Sequence, residues 1–509
     1  MQNKNNRQFL RQALPLAACI GFFLVFVLID GPVICVDSES YITADNSRPP
    51  LYPMFLFIMR QIFGETPLLY GSPLYLFPAA LIAGAVNGYA TWRVGQAVWS
   101  EMKRAGIRHP QLFGILASGM QLAVALLNRF SAKRSSMYAE SILSESLAMP
   151  LYLLFCIDLW YWMTRHEKKH LLRLFLLMTA LLASRTHMVI VPALFFVISL
   201  IHDLIGRHSR SVKRFLLSVA LCGAAYILAL LFDCSFHLAM HGEFMKHTFG
   251  NKAFYSTMMY NATPEVADAI DPVKNADERK LFLTLLENCR ERSLLEDQMP
   301  PADSWIDMAE HFAFSYDSIG FNATIETVEA YIDERIALYN GEEAADYTGA
   351  GIDFEKMLTP DETGRLTLTE ARRALVYDDI ITVFNLALVK RIPPFSLRAY
   401  GTQILSGLMN GVAKMSDILQ PYVLAIYALY LFLLLKTLRK GSRELFLAGE
   451  IVLIGIIINA CAVGLLMFTQ SRYMIYNMGA FYTFLPIMAY FSAGSARRSQ
   501  VPDTASPQQ

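Results

Sequence analysis

The sequence predicts an all-α polytopic membrane protein of about ten transmembrane helices, with a mainly helical extracytoplasmic insert between spans 7 and 8. Three observations predict it. Apolar residues are 54% of the 509 and charged residues only 17%, against roughly a quarter charged in ordinary globular chains. Apolar runs of membrane-crossing length recur in both the N-terminal and the C-terminal parts of the chain. The charges also segregate: residues 238–420 carry 16 basic and 29 acidic side chains, net −13, and the remainder carries 28 and 15, net +13. A zero net charge thus conceals a basic apolar body around an acidic polar insert. That composition excludes a soluble enzyme, a disordered chain and a nucleic-acid binder.

A spanning helix needs about 20 predominantly apolar residues. The runs 13–35, 73–98, 111–129, 144–164, 188–204, 215–233, 421–435, 446–469 and 473–493 supply nine candidates. Leu171–Ala183 is the tenth, reaching only about 20 Å at the α-helical rise. Joined to 188–204 it would reach about 50 Å, with Ser184-Arg185-Thr186-His187 in the middle, so two short spans bent at Arg185 are the better reading. Leu16-Ala17-Ala18-Cys19 looks like a lipoprotein cleavage box, but the apolar run follows it instead of preceding it, which indicates an uncleaved first span. With ten spans and an inside N-terminus, twenty cations fall in inside segments, including Lys103, Arg165, Arg207, Arg210, Lys440, Arg497 and Arg498. The short outside segments hold seven: Arg48, Arg60, Arg129, Lys133, Arg134, Arg185 and Arg472. Both termini are therefore expected in the cytoplasm and the insert outside.

The chain then divides into a seven-span N-terminal module (1–237), an acidic domain (238–420), three C-terminal spans (421–494) and a disordered tail (495–509). In the acidic domain, amphipathic helices are expected at 276–297, 323–340 and 366–392. After Pro393-Pro394, an apolar stretch at 395–416 is expected to lie flat on the outer membrane surface. The seven cysteines show no metal-binding spacing; Cys234 and Cys289 both fall outside, where a disulfide between them is permitted.

Chemistry is expected where ionisable residues cluster at the outer edge. The first outside loop reads Asp37-Ser38-Glu39-Ser40-Tyr41-Ile42-Thr43-Ala44, followed by Arg48-Pro49-Pro50-Leu51-Tyr52-Pro53. A plain alternative makes Asp37 or Ser38 the N-cap of a short interfacial helix, worth about 1 kcal/mol. Further along stand Tyr138–Leu147 (YAESILSESL), Leu182–His187 (LASRTH) and Arg472-Tyr473.

Taken in order and on one side of the membrane, these motifs resemble the GT-C superfamily of polytopic glycosyltransferases, in particular the bacterial branch related to protein mannosyltransferases and the lipid A aminoarabinose transferase. The resemblance covers residues 10–235 well and 446–493 loosely, and leaves the insert unmatched. It implies an inverting transfer of a sugar from a polyprenyl-phosphate donor to an extracytoplasmic protein, lipid or envelope-glycan acceptor. Asp37 is the candidate base, since a hydroxyl acceptor needs a carboxylate to take its proton. Glu145 is the second catalytic acid, with Glu140 nearer the surface as its competitor for that role and Ser141 on the same helix face. Arg185 and Arg472 are candidates for the donor phosphate, because guanidinium binds phosphate oxygens bidentately. Tyr41, Arg48, Tyr52, Tyr138 and His187 are further substrate-binding candidates, and Lys133 and Arg134 bind either the donor or lipid headgroups. Plain alternatives are a snorkelling Arg185, an interfacial anchor at Arg472 and a structural ion pair at Glu145. Some GT-C enzymes use Mg²⁺ or Mn²⁺, for which Asp37 and Glu145 are the candidate ligands.

A secondary transporter or lipid flippase with an extracellular domain is the competing reading, and a receptor or assembly scaffold is a third. Transporters place ionisable residues near the midplane and often show repeated halves. Here only Glu450 and Asp158 lie deep in spans, and ten spans are excessive for an anchor.

Overall fold

The computed structural model describes residues 2–131, 136–205, 211–342, 347, 351–391 and 397–493. Lys133, Arg134, Arg207, Arg210, Pro393-Pro394, Arg497, Arg498 and the tail 495–509 lie outside the described residues. Among those described, the chain is all-α apart from one two-stranded ladder, and seven helices are long and apolar enough to cross a membrane.

The first helix, α1 (Gln2–Asp30), stops five residues earlier than its apolar run suggests. Gly31 takes a left-handed φ of +71° and Pro32 cannot continue the helix, so the apolar residues 33–35 leave the helix and lead into a turn at Val36. Val33 there pairs with the 140–142 segment: its N–H donates to the Glu140 carbonyl at 3.0 Å, and its own carbonyl accepts from Ile142 at 2.9 Å. A single turn, α2 (Ser38–Ile42), precedes α3 (Leu51–Phe63), an apolar helix of 13 residues. Then come α4 (Leu76–Arg104) and α5 (Pro110–Ser131). Small residues let these helices approach closely: a Cβ on Gly88 of α4 would lie 2.5 Å from the Ile20 Cα of α1, and one on Gly95 would lie 2.8 Å from the Gly114 carbonyl of α5. α4 is absent from the seven apolar helices because Asn87, Arg93 and Glu101 dilute it, yet it packs against α1, α5 and α6 (Glu145–Arg165).

α7 (Lys168–Leu182) and α8 (Ile190–Ser199) are separated by a bend through Ser184-Arg185, and α8 continues through a wide turn to Leu204. α9 (Ser211–His241) is 31 residues long, so it overruns its apolar stretch at both ends. The far end of the bundle is tied by Arg165 to Glu101 at 2.5 Å, Arg214 to Asp203 at 3.0 Å and the Trp160 indole to the Glu444 carbonyl at 2.8 Å.

The insert comprises α10 (Phe249–Met259), α11 (Ala276–Glu291), α12 (Trp305–Ser318), α13 (Thr324–Tyr339), strands β1 (Thr359–Pro360) and β2 (Leu366–Thr367), α14 (Glu370–Arg391) and α15 (Leu397–Asn410). Phe282, Leu285, Phe312, Ile332 and Phe384 form its core. The same core takes in Ala460 and Val463 from α17 (Arg443–Leu466), the helix that follows α16 (Gln420–Arg439), and Met467 just beyond it.

α15 differs from the surface helix expected at 395–416. It packs on α17, where Gly407 approaches so closely that a Cβ would lie 2.8 Å from the Ala460 Cβ. Its Gln403, Ser406 and Asn410 are buried, and that polar set explains the difference: Gln403 Oε1 accepts from the Thr469 N–H at 3.0 Å and from its hydroxyl at 2.9 Å, bonds a lipid surface would not supply. The last apolar run is also broken, into α18 (Ser471–Met474), a tight turn and α19 (Met478–Ser492). None of the seven cysteines forms a disulfide; Cys234 and Cys289 are buried and not bonded to each other.

Candidate functional site

Five stretches distant in sequence meet at one end of the bundle around a cavity of about 640 Å³: 36–49, 185–187, Phe249, 314–322 and 467–473. Gly31 ends α1 so that Asp37 emerges there, and Pro49-Pro50 turn the chain back into α3. Asp37 occupies the N-cap position of α2, but its carboxylate makes no capping bond. It is held instead by two guanidiniums: Arg48 Nη2 donates to Oδ1 at 3.1 Å and Arg472 Nη1 to Oδ2 at 2.5 Å. Burial alone would raise the Asp37 carboxyl, but Arg472 and then Arg48 outweigh it and hold the group below its ordinary value. Arg48 also donates to the Ser40 hydroxyl at 2.8 Å and lies over the Tyr41 ring at 4.6 Å.

Arg185 reaches the cavity from the bend between α7 and α8, where its extended backbone interrupts the helix. It is 9% exposed and forms an ion pair with Glu145, which is 1% exposed. Its Nη1 also donates to the Ser144 hydroxyl at 2.9 Å, and that hydroxyl lies 2.9 Å from Tyr41 Oη. Two cations share one aromatic ring, because the Arg185 and Arg472 guanidiniums lie 5.4 Å and 4.9 Å from the centroid of Tyr473. His187 is 1% exposed and packs edge-on against Tyr473 and Tyr476, and its Nε2 has no hydrogen-bond partner among the described residues.

Of the residues singled out in the sequence, Asp37, Tyr41, Arg48, Arg185, His187 and Arg472 line this cavity, and Glu145 stands directly behind Arg185. Others do not reach it. Tyr52 is buried edge-on against Tyr41, at 5.3 Å between ring centroids, and supports the wall from behind. Glu140 is fully buried in a different cluster, bonded to Arg129 Nη1 at 2.8 Å and to the Met137 N–H at 2.7 Å, while Arg129 also pairs with Asp30. Burial pushes the Glu140 carboxyl up to about 7. Tyr138 lines a separate cavity of about 70 Å³ with Asn87, Gln121 and Tyr476. Ser141 lies in the bridge to Val33, ahead of the helix that Glu145 begins, so the two do not share a helix face.

The opposite wall was not legible in the sequence. The insert supplies Phe249, Phe314, Asp317 and Phe321 to it, and burial raises the Asp317 carboxyl, with Arg472 opposing the shift and Asp37 adding to it. The only cue in the sequence was an excess of aromatic residues between His311 and Asn322. His247 was missed as well: its Nδ1 meets Asp233 at 2.7 Å and its Nε2 meets the Thr186 hydroxyl at 3.0 Å, which fixes the bend that carries Arg185.

The donor set suits an anion better than a divalent cation. Asp37 and Glu145, offered above as Mg²⁺ or Mn²⁺ ligands, are each engaged by arginine, and among the described residues no group of three or more His, Cys, Asp or Glu side chains converges as a metal site. No protein-family model matches this chain, and no curated protein matches it.

Proposed function

We propose that this chain is a GT-C-type membrane glycosyltransferase, which moves a sugar from a polyprenyl-phosphate donor to an extracytoplasmic acceptor. The same reading has ten spans, both termini in the cytoplasm and residues 238–420 outside. What carries it is the convergence of Asp37, Arg48, Arg185 and Arg472 on one cavity, at the bundle end where cations are scarce in the loops. The motif resemblance points the same way.

In the proposed reaction the acceptor hydroxyl oxygen attacks the anomeric carbon while the bond from that carbon to the phosphate oxygen breaks. The hydroxyl proton passes to Asp37, the electron pair leaves with the polyprenyl phosphate, and the configuration inverts. At rest Asp37 is a weak base, because two guanidiniums engage it. A donor phosphate competes for those same guanidiniums, so donor binding loosens Arg472 and Arg48 from Asp37 and restores its basicity. Arg185, anchored by Glu145, remains a fixed cation facing the leaving group.

The test is to incubate purified protein with a panel of polyprenyl-phosphate sugars and measure released polyprenyl phosphate. One donor or a few are expected to turn over, and Asp37→Asn is expected to fold normally and lose about two orders of magnitude or more in rate. Full turnover by Asp37→Asn would overturn its role as base. Silence with every donor would overturn the enzyme reading.

A further inference from the structure

The insert presents an anomalous helix face to the cavity. Phe314, Asp317 and Phe321 follow one another at intervals of three and four residues along α12 and the wide turn Ile319–Ala323 that extends it, with Ser318 next to Asp317, so they share a side. The other side, with Phe312, Ser315 and Ile319, is buried, and Tyr316, buried as well, still reaches the cavity. An exposed helix face is ordinarily polar. This one carries two phenylalanines, 63% and 46% exposed, on either side of a carboxylate that makes no ion pair among the described residues. Lys252 caps one face of the Phe321 ring at 4.4 Å, and Phe321 lines the cavity.

We propose that this face is the acceptor subsite and that the acceptor is a neutral saccharide; the assignment rests on the glycosyltransferase reading above. Aromatic rings stack on the apolar C–H faces of a pyranose, and a carboxylate between them accepts hydrogen bonds from its hydroxyls. The Asn322 side chain adds both a donor and an acceptor at the same wall. Charge argues against the alternatives. Arg48, Arg185 and Arg472 share the cavity and repel a cationic acceptor, while Asp317 and the −13 of the insert repel a polyanion. The two walls thus divide the work: arginines from the membrane body take the phosphate, and the aromatic and carboxylate face of the insert takes the sugar to be extended.

The experiment uses the full-length protein in lipid nanodiscs and saturation-transfer NMR with methyl pyranosides of glucose, galactose, mannose and N-acetylglucosamine. Ethanolamine serves as the amine probe, and undecaprenyl phosphate is titrated separately. At least one pyranoside is expected to show ring-proton transfer that falls about tenfold or more in Asp317→Asn and in Phe314→Ala, the scale of losing one charge-assisted hydrogen bond or one stacking face. Undecaprenyl phosphate binding is expected to stay unchanged in both variants, which also shows that they fold. No transfer to any pyranoside, or transfer unaffected by both substitutions, would overturn the subsite. Asp317-dependent binding of ethanolamine alone would overturn it in favour of an amine acceptor. Pyranoside binding as expected, with no Arg472-dependent binding of undecaprenyl phosphate, would leave the subsite standing and overturn the donor reading instead.

Discussion

Glu145 and Arg185 show how one ion pair constrains what a substitution can report. Removing one partner of a pair this buried leaves the other charge uncompensated and costs about 3–5 kcal/mol. Arg185→Ala is therefore expected to lower the unfolding temperature as well as activity. Adding Glu145→Gln is expected to recover most of the stability and none of the activity, a result read by thermal unfolding beside the transfer assay; recovery of both would make the pair purely structural. Glu140 is expected to act on stability alone. Its carboxyl sits at about 7 in the fold against about 4.3 in an unfolded chain, so the native state holds that proton more tightly. The stabilisation is fully present below about 4.3 and is lost as pH rises through 7. Thermal unfolding followed between about pH 4.5 and about pH 8 should show the midpoint falling as pH rises toward about 7 and levelling above it, and Glu140→Gln should reduce that slope.

At the scale of elements, α15 matters because it steadies the loop that delivers Arg472. Gln403 holds Thr469, three residues before Arg472, and Gly407 allows the approach to α17 that makes this contact. Gly407→Ala is expected to destabilise the protein by about 1–3 kcal/mol, since the added carbon would overlap Ala460, and to weaken donor turnover by displacing Arg472. An unchanged unfolding midpoint would show that the helices part without cost. The difference between α15 and the surface helix its composition suggested marks where the sequence stopped being legible. Long apolar runs and the bend at Arg185 follow from local periodicity and from the cost of an arginine inside a span. Whether the polar residues of 395–416 face water or a partner helix depends on Thr469 and Ala460, more than forty residues away. The same limit applied at the cavity: Asp37, Arg185 and Arg472 stood out as charges beside apolar runs, while Asp317 is one of 29 acidic residues in the insert and nothing local distinguishes it. Glu140 and Glu145 were inseparable for a related reason, since only the positions of Arg129 and Arg185 tell them apart.

At the scale of the whole molecule, the insert shares its core with α17, so the polar and membrane parts are packed as one body at this contact. The orientation in the bilayer can be tested directly. Cysteine placed at Asp303 is expected to react with a membrane-impermeant maleimide in intact cells. Cysteine placed at Lys440 is expected to react only after permeabilisation, and the reverse pattern would invert the topology. The cavity also has a timetable. Asp37 and its partner Arg472 are 435 residues apart in sequence, and the walls between them come from the bend at Arg185 and from the insert. During synthesis Asp37 leaves the ribosome long before the second arginine that engages it, so no shorter nascent chain holds the whole cavity. If the proposed transfer is right, activity is expected only once residue 472 has been made, and a chain stopped before it is expected to be inert however well its earlier helices have inserted.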